Sequence, residues 1–244
     1  MKIKYHDFKI DHLKSVQSTN SLAIERIMKG LDVEWLIADQ QTNGRGRHSN
    51  KWVSPVGGLY ATKVIKDNKI NYSHISQLSI LSAVIASKAI ANFININKIK
   101  LKWPNDILIG EDKLCGILIQ TLTHNDNFFI IIGFGINIKR SIQSANDSFA
   151  YLEDFDDKTS VNDLLEKLIV NFNKIINKWD YGNSFNEYRK YWIESTSDIG
   201  KRIILKEKYS NKSGYFENID IDGNLILRIE NDLIKINTGD VFLN

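Results

Sequence analysis

Cysteine occurs once in the 244-residue chain, at Cys115. A single thiol excludes an internal disulfide framework and a cysteine-rich zinc site. Proline occurs twice, at Pro55 and Pro104, where average usage would give about 12 in a chain of this length. No apolar run approaches the ~18 residues of a transmembrane helix, so no membrane partner is expected. Met1 to Ile10 contains lysines but neither an apolar stretch nor a small-residue cleavage site, so it does not read as a signal peptide. The five histidines show no HExxH spacing, which removes one signature of a helical zinc site. A dominant charge is also lacking. The 32 Lys and Arg against 29 Asp and Glu leave +3, too balanced to argue for nucleic acid on its own. These absences describe a soluble protein expected in the cytoplasm.

What is present is ordinary for a globular chain: 43% hydrophobic and 25% charged residues. That suffices for one domain of common size plus a small second one. Ser18 or Thr19 reads as the cap of a helix carrying Leu22, Ala23, Ile27 and Met28, stopped at Gly30. Residues 34–41 and 58–66 read as strands, with a polar loop over 42–52 between them. Residues 74–94 form the longest helical pattern. Apolar runs over 99–103, 113–121 and 128–138 read as strands, the last two joined by a turn at Asn125-Asp126-Asn127. Ser160 and Asp163 resemble a capping box opening a helix towards Trp179, and another helix is expected over 185–195. After Gly200 the texture changes to short strands over 203–208, 213–220, 224–229 and 233–237, with a turn at Asp222-Gly223-Asn224. This predicts a small barrel.

Four segments carry chemistry. Gly44-Arg45-Gly46-Arg47-His48-Ser49-Asn50-Lys51-Trp52 alternates glycine and arginine just after a buried-looking strand. Glycine lets a backbone approach a ligand, and arginine neutralises an anion. A solvated basic loop or a nucleic-acid contact fits the same residues. Neither a Walker A loop nor a dinucleotide fingerprint is present. Lys102-Trp103-Pro104-Asn105-Asp106 follows a strand, and Pro104 restrains the backbone that presents Asn105 and Asp106. A plain Asx turn is the alternative. Lys113 opens the apolar run Leu114-Cys115-Gly116-Ile117-Leu118, either as a strand-end charge or as a cation aimed into a pocket. Gly133 and Gly135, ahead of Asn137, allow close backbone approach or mark a bulge.

Together and in this order, with Ser18-Thr19-Asn20 and Gln41 upstream, these segments resemble the biotin–protein ligase family over nearly the whole chain. The resemblance implies an α+β fold: a mixed central sheet packed with helices over residues 1–197, and a small SH3-like β domain over 198–244. It implies joining of biotin to ATP as biotinyl-5′-adenylate, release of pyrophosphate, and transfer of biotin to a lysine of a biotin carboxyl carrier protein of acetyl-CoA or a related carboxylase. Lys113 and Arg47 are then the catalytic residues. Ser18, Thr19, Asn20, Gln41, Gly44, Arg45, Gly46, Arg47, Lys113, Gly116, Ile117 and Leu118 surround biotin. Arg45, Arg47, Trp52, Lys102, Asn105, Asp106, Lys113 and Asn137 handle ATP or the adenylate. Mg²⁺ is expected on the ATP phosphates rather than in a protein cage. Family members often pair through the central sheet, so a homodimer is among the expectations.

The family's loop usually reads GRGRxGRxW, and this chain has Ser49 and Asn50 where the pattern has glycine and arginine. Weaker ATP binding is the expected consequence, with Lys51 or His48 as candidate substitutes. Only about 17 residues precede Ser18, too few for the winged-helix domain of some members, so sequence-specific DNA binding is not expected. The competing readings are a lipoate-type ligase of the same fold, a nucleic-acid-binding module, and a non-catalytic biotin binder.

Overall fold

A computed structural model describes residues 8–141, 148–206, 211–237 and 239–243. Its larger part is built on a seven-stranded sheet with the order β1-β2-β3-β7-β6-β5-β4. The strands are β1 (Ile10–Leu13), β2 (Trp35–Ala38), β3 (Leu59–Lys66), β4 (Ile99–Lys102), β5 (Asp106–Ile109), β6 (Asp112–His124) and β7 (Asn127–Ile136). β1 and β2 run parallel, joined by helix α1 (Thr19–Met28). Every other pair is antiparallel, so the sheet is mixed, as the family resemblance implies.

Period-two alternation sorts side chains to the two faces. Leu36, Val64 and Ile131 pack with Ala23 and Ile27 of α1 on one face. Their neighbours Trp35, Ile37, Ile130 and Ile132 face the other layer, formed by α2 (Ile75–Ile90), α3 (Val161–Trp179) and α4 (Phe185–Ser195). α2 is buried nearly all round, which is the pattern of a central helix. α3 buries Leu164, Leu165, Leu168, Phe172 and Trp179 on one stripe. At its start Ser160 Oγ accepts from Asp163 N–H at 3.1 Å, while the Ser160 hydroxyl donates to the Asp163 carboxylate at 2.6 Å. This is half of the expected capping box, because the carboxylate takes the hydroxyl instead of a backbone N–H.

The β6–β7 hairpin turns at Asn125 and Asp126, whose φ values are +48° and +58°. Both lie in the left-handed region that two-residue hairpin turns require. α1 is capped by Ser18 and followed by Gly30 at φ +71°, but Met28 is exposed and does not join the buried stripe. The helix expected over 74–94 ends at Ile90. The strand expected over 34–41 is shorter, with Gln41 making isolated bridges to Val16 and Ser54. β1 and β5 are strands the sequence pattern does not announce. Each has four residues, too few to display a period.

The remaining chain forms a five-stranded antiparallel sheet with the order β11-β10-β9-β8-β12. Its strands are β8 (Arg202–Lys206), β9 (Asn211–Ile219), β10 (Leu225–Ile229), β11 (Asp232–Ile236) and β12 (Asp240–Leu243). Residues 207 and 208 of the strand expected over 203–208 lie outside the described residues. β12 is a further unannounced strand. It pairs with β8, Asp240 opposite Lys206. This sheet shares a core with the larger part: the Phe216 ring packs tilted against Trp192 of α4, centroids 6.2 Å apart. Polar clamps fix the junction. Gln77 of α2 accepts from Trp179 Nε1–H at 2.8 Å and donates to the Ile221 carbonyl at 2.9 Å. The turn at Asp222-Gly223-Asn224 brings Gly223 so close to Ser76 that a Cβ there would lie 2.7 Å from backbone atoms.

Candidate active site

A cleft of about 260 Å³ opens between the start of α1, the Gly44–Trp52 segment, the Lys102–Asp106 segment, β6, β7 and β12. Its α1 end is uncharged. Ser18, Thr19 and Asn20 occupy the cap and first turn of the helix and are 3–4% exposed. Gln41 Oε1 accepts from Thr19 N–H at 2.9 Å, and Gln41 Nε2 donates to Ser54 Oγ at 2.9 Å. The Ser54 hydroxyl donates in turn to the Trp52 carbonyl at 3.0 Å. Asn20 Nδ2 donates to the Leu118 carbonyl at 3.3 Å and to Gln120 Oε1 at 3.1 Å. Thr62 of β3 closes the network from behind. Buried polar groups satisfied in this way hold one geometry.

The opposite end is charged. Lys113 Nζ lies 2.7 Å from Asp106 Oδ1 but off hydrogen-bonding geometry, so that buried oxygen is held by charge. The same ammonium sits 5.2 Å from the Trp52 ring centroid, within cation–π range. Arg47 Nη1 donates to the Gly239 carbonyl at 2.8 Å and to Asp240 Oδ1 at 3.0 Å. His48 Nδ1 meets Asp240 Oδ2 at 3.0 Å. Burial pulls the Arg47 pKa below the usual guanidinium range, opposed by Asp240 and Asp106.

The Gly-Arg segment is a miniature hairpin instead of an irregular loop. Trp52 N–H donates to the Gly44 carbonyl at 3.0 Å, Arg45 bridges Lys51, and Gly46 N–H donates to the Asn50 carbonyl at 2.7 Å. A single 3-10 turn over Arg47–Ser49 forms its tip, with His48 at φ +50°. Arg47 points inward, its side chain 18% exposed. Pro55 lies beyond the hairpin, its carbonyl taking the hydroxyl of buried Tyr60 at 2.8 Å.

Glycines explain how Trp52 fits. Gly116 and Gly135 face each other across the β6–β7 pair. A Cβ on Gly135 would lie 2.3 Å from Trp52 Nε1, and one on Gly116 would lie 3.1 Å from Trp52 Cζ3 and 3.2 Å from Lys113 Cε. The space these glycines leave is therefore filled by Trp52 and Lys113. Gly133 makes room in the same way for Asn20, whose Oδ1 a Cβ would meet at 2.4 Å.

Most sequence-predicted residues come together. Ser18, Thr19, Asn20, Gln41, Arg45, Gly46, Arg47, Trp52, Lys102, Asn105, Asp106, Lys113, Gly116, Ile117 and Leu118 all line the one cleft. Two do not. Gly44 sits behind the hairpin, where a Cβ would lie 2.3 Å from the Trp52 carbonyl oxygen. Asn137 stands behind Lys113, donating to its carbonyl at 3.2 Å. Asn105 lines the wall with its amide tied to the Ile117 carbonyl at 2.5 Å, after a cis Trp103–Pro104 peptide. Sequence reasoning missed Thr62, Gln120 and the β12 residues Asp240, Val241 and Phe242. Nothing local marks them. Each is a single residue on a strand that packing, not sequence spacing, brings to the site.

Residues 13–137 match the family described as Biotin/lipoate A/B protein ligase family. The chain belongs to that family. The remainder is consistent with this: residues 198–244 match the biotin protein ligase C terminal domain. Among relatives, this biotin/lipoate A/B protein ligase family member is 30% identical to the bifunctional ligase/repressor BirA of Bacillus subtilis (strain 168), over 98% of this chain and 73% of that protein. It is 27% identical to the biotin–[acetyl-CoA-carboxylase] ligase of Paracoccus denitrificans, over 88% of this chain and 92% of that one. Among solved structures, the biotin protein ligase from Aquifex aeolicus in complex with biotin and ATP superposes with a TM-score of 0.82 at 27% identity. That match covers 97% of this chain and 99% of the other. These proteins are ligases, and the chain is an enzyme of that class. The family match over 13–137 contains every cleft wall except β12.

Proposed function

We propose that the chain attaches biotin to a lysine of a biotin carboxyl carrier domain, in two steps driven by ATP. The observation that carries this reading is the union, in one cleft, of a buried uncharged hydrogen-bonding network with a cluster of cations. Relatives and a solved neighbour named for biotin and ATP supply the substrates. Ser18, Thr19, Asn20 and Gln41 surround the ureido ring, which needs paired donors and acceptors, and a buried polar pocket rejects acids lacking them. Ile117 and Leu118 wall the tail. Lipoate, with no ureido ring, is the alternative that this network disfavours.

In the first step a biotin carboxylate oxygen attacks the α-phosphorus of ATP. The bond to the β-phosphate breaks, and pyrophosphate leaves. Two anions must meet, so preorganised cations lower the barrier most directly. Lys113 and Arg47 are assigned that role, with Gly44, Arg45 and Gly46 shaping the hairpin over the junction. Trp52, Lys102, Asn105 and Asp106 form the nucleotide wall, and Asn137 acts through the Lys113 backbone. In the second step the neutral ε-amine of the carrier lysine attacks the biotinyl carbonyl carbon. The amide forms, AMP leaves, and the amine loses a proton.

Among the described residues, no three His, Cys, Asp or Glu side chains gather within reach of one metal ion. We read Mg²⁺ as arriving on the ATP phosphates because it prefers phosphate oxygens and a few carboxylates to a protein cage, and Asp106 and Asp240 are carboxylates of the cleft wall. We assign residues 1–197 to the catalytic unit and 198–244 to the small β unit. We read the reaction as taking place in the cytoplasm. The test is ATP-dependent labelling of a biotin carboxyl carrier domain with biotin or lipoate, followed by pyrophosphate release. Biotin labelling that is lost in Lys113→Ala and Arg47→Ala supports the assignment. Faster labelling with lipoate, or full activity in both variants, overturns it.

A further inference from the structure

Thr62 of β3 is fully buried and stands behind the cleft, outside its lining. Its hydroxyl oxygen is 2.7 Å from Thr19 Oγ1 and 2.7 Å from Asn20 Oδ1. A hydroxyl has one hydrogen and two lone pairs, so Thr62 cannot donate in both contacts at once. The Asn20 amide is fixed in direction: its Nδ2 faces the Leu118 carbonyl, which can only accept. Asn20 Oδ1 therefore needs a donor, and Thr62 is the donor at hand. Gln41 Oε1 likewise only accepts, from Thr19 N–H at 2.9 Å and from the Thr19 hydroxyl at 3.2 Å. The hydrogen of Thr19 is thus drawn inward, to Gln41 or to Thr62. Towards the cleft Thr19 offers a lone pair only. Ser18 has the opposite bias, because its oxygen already accepts from Ser21 N–H at 3.4 Å and its hydrogen is left for a ligand.

We infer that Thr62 is a positioning residue that sets the donor–acceptor polarity of the uncharged end of the cleft. Through Thr19 and Asn20 it makes that end accept from a ligand N–H beside the point where Ser18 donates to a ligand carbonyl. A cyclic urea, a carbonyl flanked by N–H groups, matches this polarity. A dithiolane ring has nothing to offer it. Without the Thr62 hydroxyl, Asn20 Oδ1 loses that donor, and only the longer 3.2 Å contact to Gln41 Oε1 keeps the Thr19 hydrogen from turning into the cleft against the ligand N–H.

This inference rests on the biotin reading of the cleft and is tested separately from it. Biotin affinity is measured by calorimetry without ATP for the full chain and for Thr62→Ser, Thr62→Val and Thr62→Ala, followed by steady-state kinetics. Ser should bind within about twofold of the parent. Val and Ala should weaken biotin about tenfold or more, the cost of a buried polar group left unpaired. Biotin KM should follow, while ATP KM and kcat at saturating biotin stay within about threefold. A general loosening of the fold would move all of these together and would not be rescued by serine. Unchanged biotin affinity in Val overturns the inference and leaves the proposed function standing, as does an equal loss in Ser and Val. A parent chain that binds lipoate and not biotin overturns both. If thermal unfolding shows that Val does not fold, the comparison of Ala with Ser decides by the same criterion.

Discussion

At the α1 end of the cleft, Ser18, Thr19 and Asn20 are nearly inaccessible, and each has a protein partner before any ligand arrives. At the other end, the side chains of Lys113 and Asp106 are 29% and 22% exposed, and those of Arg47 and Asp240 are 18% and 35% exposed. There the partners are carboxylates, and under the proposed function an incoming phosphate competes with them. The first end is ordered during folding, so a neutral ligand meets a finished pattern and loses little to reorganisation. The second end stores its cations against protein anions. Salt screens half-exposed charges much more than buried dipoles. The two halves of the reaction should therefore respond differently to the same perturbations.

The largest effect is expected at Lys113. Lys113→Ala removes the cation we propose to stand between the reacting anions, and loss of one such group costs about 10²–10³ in rate. Biotin-dependent exchange of pyrophosphate into ATP measures it. Biotin affinity without ATP should change much less, and a collapse of both together would dissolve the distinction between the two ends. Gly135→Ala comes next. Its Cβ would stand 2.3 Å from Trp52 Nε1, and overpacking of this kind costs about 1–3 kcal/mol. The ring must move from the wall we assign to the nucleotide, so ATP KM should rise about tenfold. Trp52 fluorescence and ATP KM together check this, with biotin affinity as the unmoved reference.

Asp240→Asn should have a smaller and opposite effect. The amide oxygen can still accept from Arg47, but the negative charge beside the proposed phosphate path is gone. Half-exposed ion pairs are worth about 1 kcal/mol or less, so ATP KM should fall about two- to fivefold. The fall should shrink as salt is raised. An increase in KM would mean that Asp240 orients Arg47 more than it competes with phosphate, and the storage picture of the charged end would be wrong.

The same contrast governs how much the sequence discloses. α1 is legible because its cap, its apolar stripe and Gly30 are contiguous, and the β6–β7 hairpin because Asn125 and Asp126 mark its turn. The Gly-Arg hairpin, the Lys102–Asp106 segment and the Lys113 strand are each local, so most cleft residues can be named in advance. Asp240 cannot, because it reaches Arg47 across 193 positions on a four-residue strand with no period of its own. Thr62 cannot either. It lies inside an apolar strand, and only the register of the sheet sets its hydroxyl against Thr19 and Asn20. The use of Gly116, Gly133 and Gly135 is half legible. The glycines announce a close approach, but which side chain approaches is decided by the tertiary fold.

The smallest effect concerns the departure from the family's loop pattern. Asn50 lines the charged end beside Arg45, Arg47 and Lys51, and its carbonyl closes the hairpin by accepting from Gly46 N–H at 2.7 Å. That bond belongs to the backbone, so Asn50→Arg keeps the hairpin and adds a cation on its cleft side. Arg47 and Lys51 already supply charge there, and one more half-exposed cation adds less than about 1 kcal/mol. ATP KM should fall about two- to threefold, with kcat and biotin KM unchanged. The gain should vanish near molar salt, where screening acts over about 3 Å. If Lys51 has taken over the missing contact, Lys51→Ala should raise ATP KM in the parent and do so much less in the Asn50→Arg background. Additive effects of the two substitutions would show that positions 50 and 51 reach different phosphates, and that the charged end was never short of a cation.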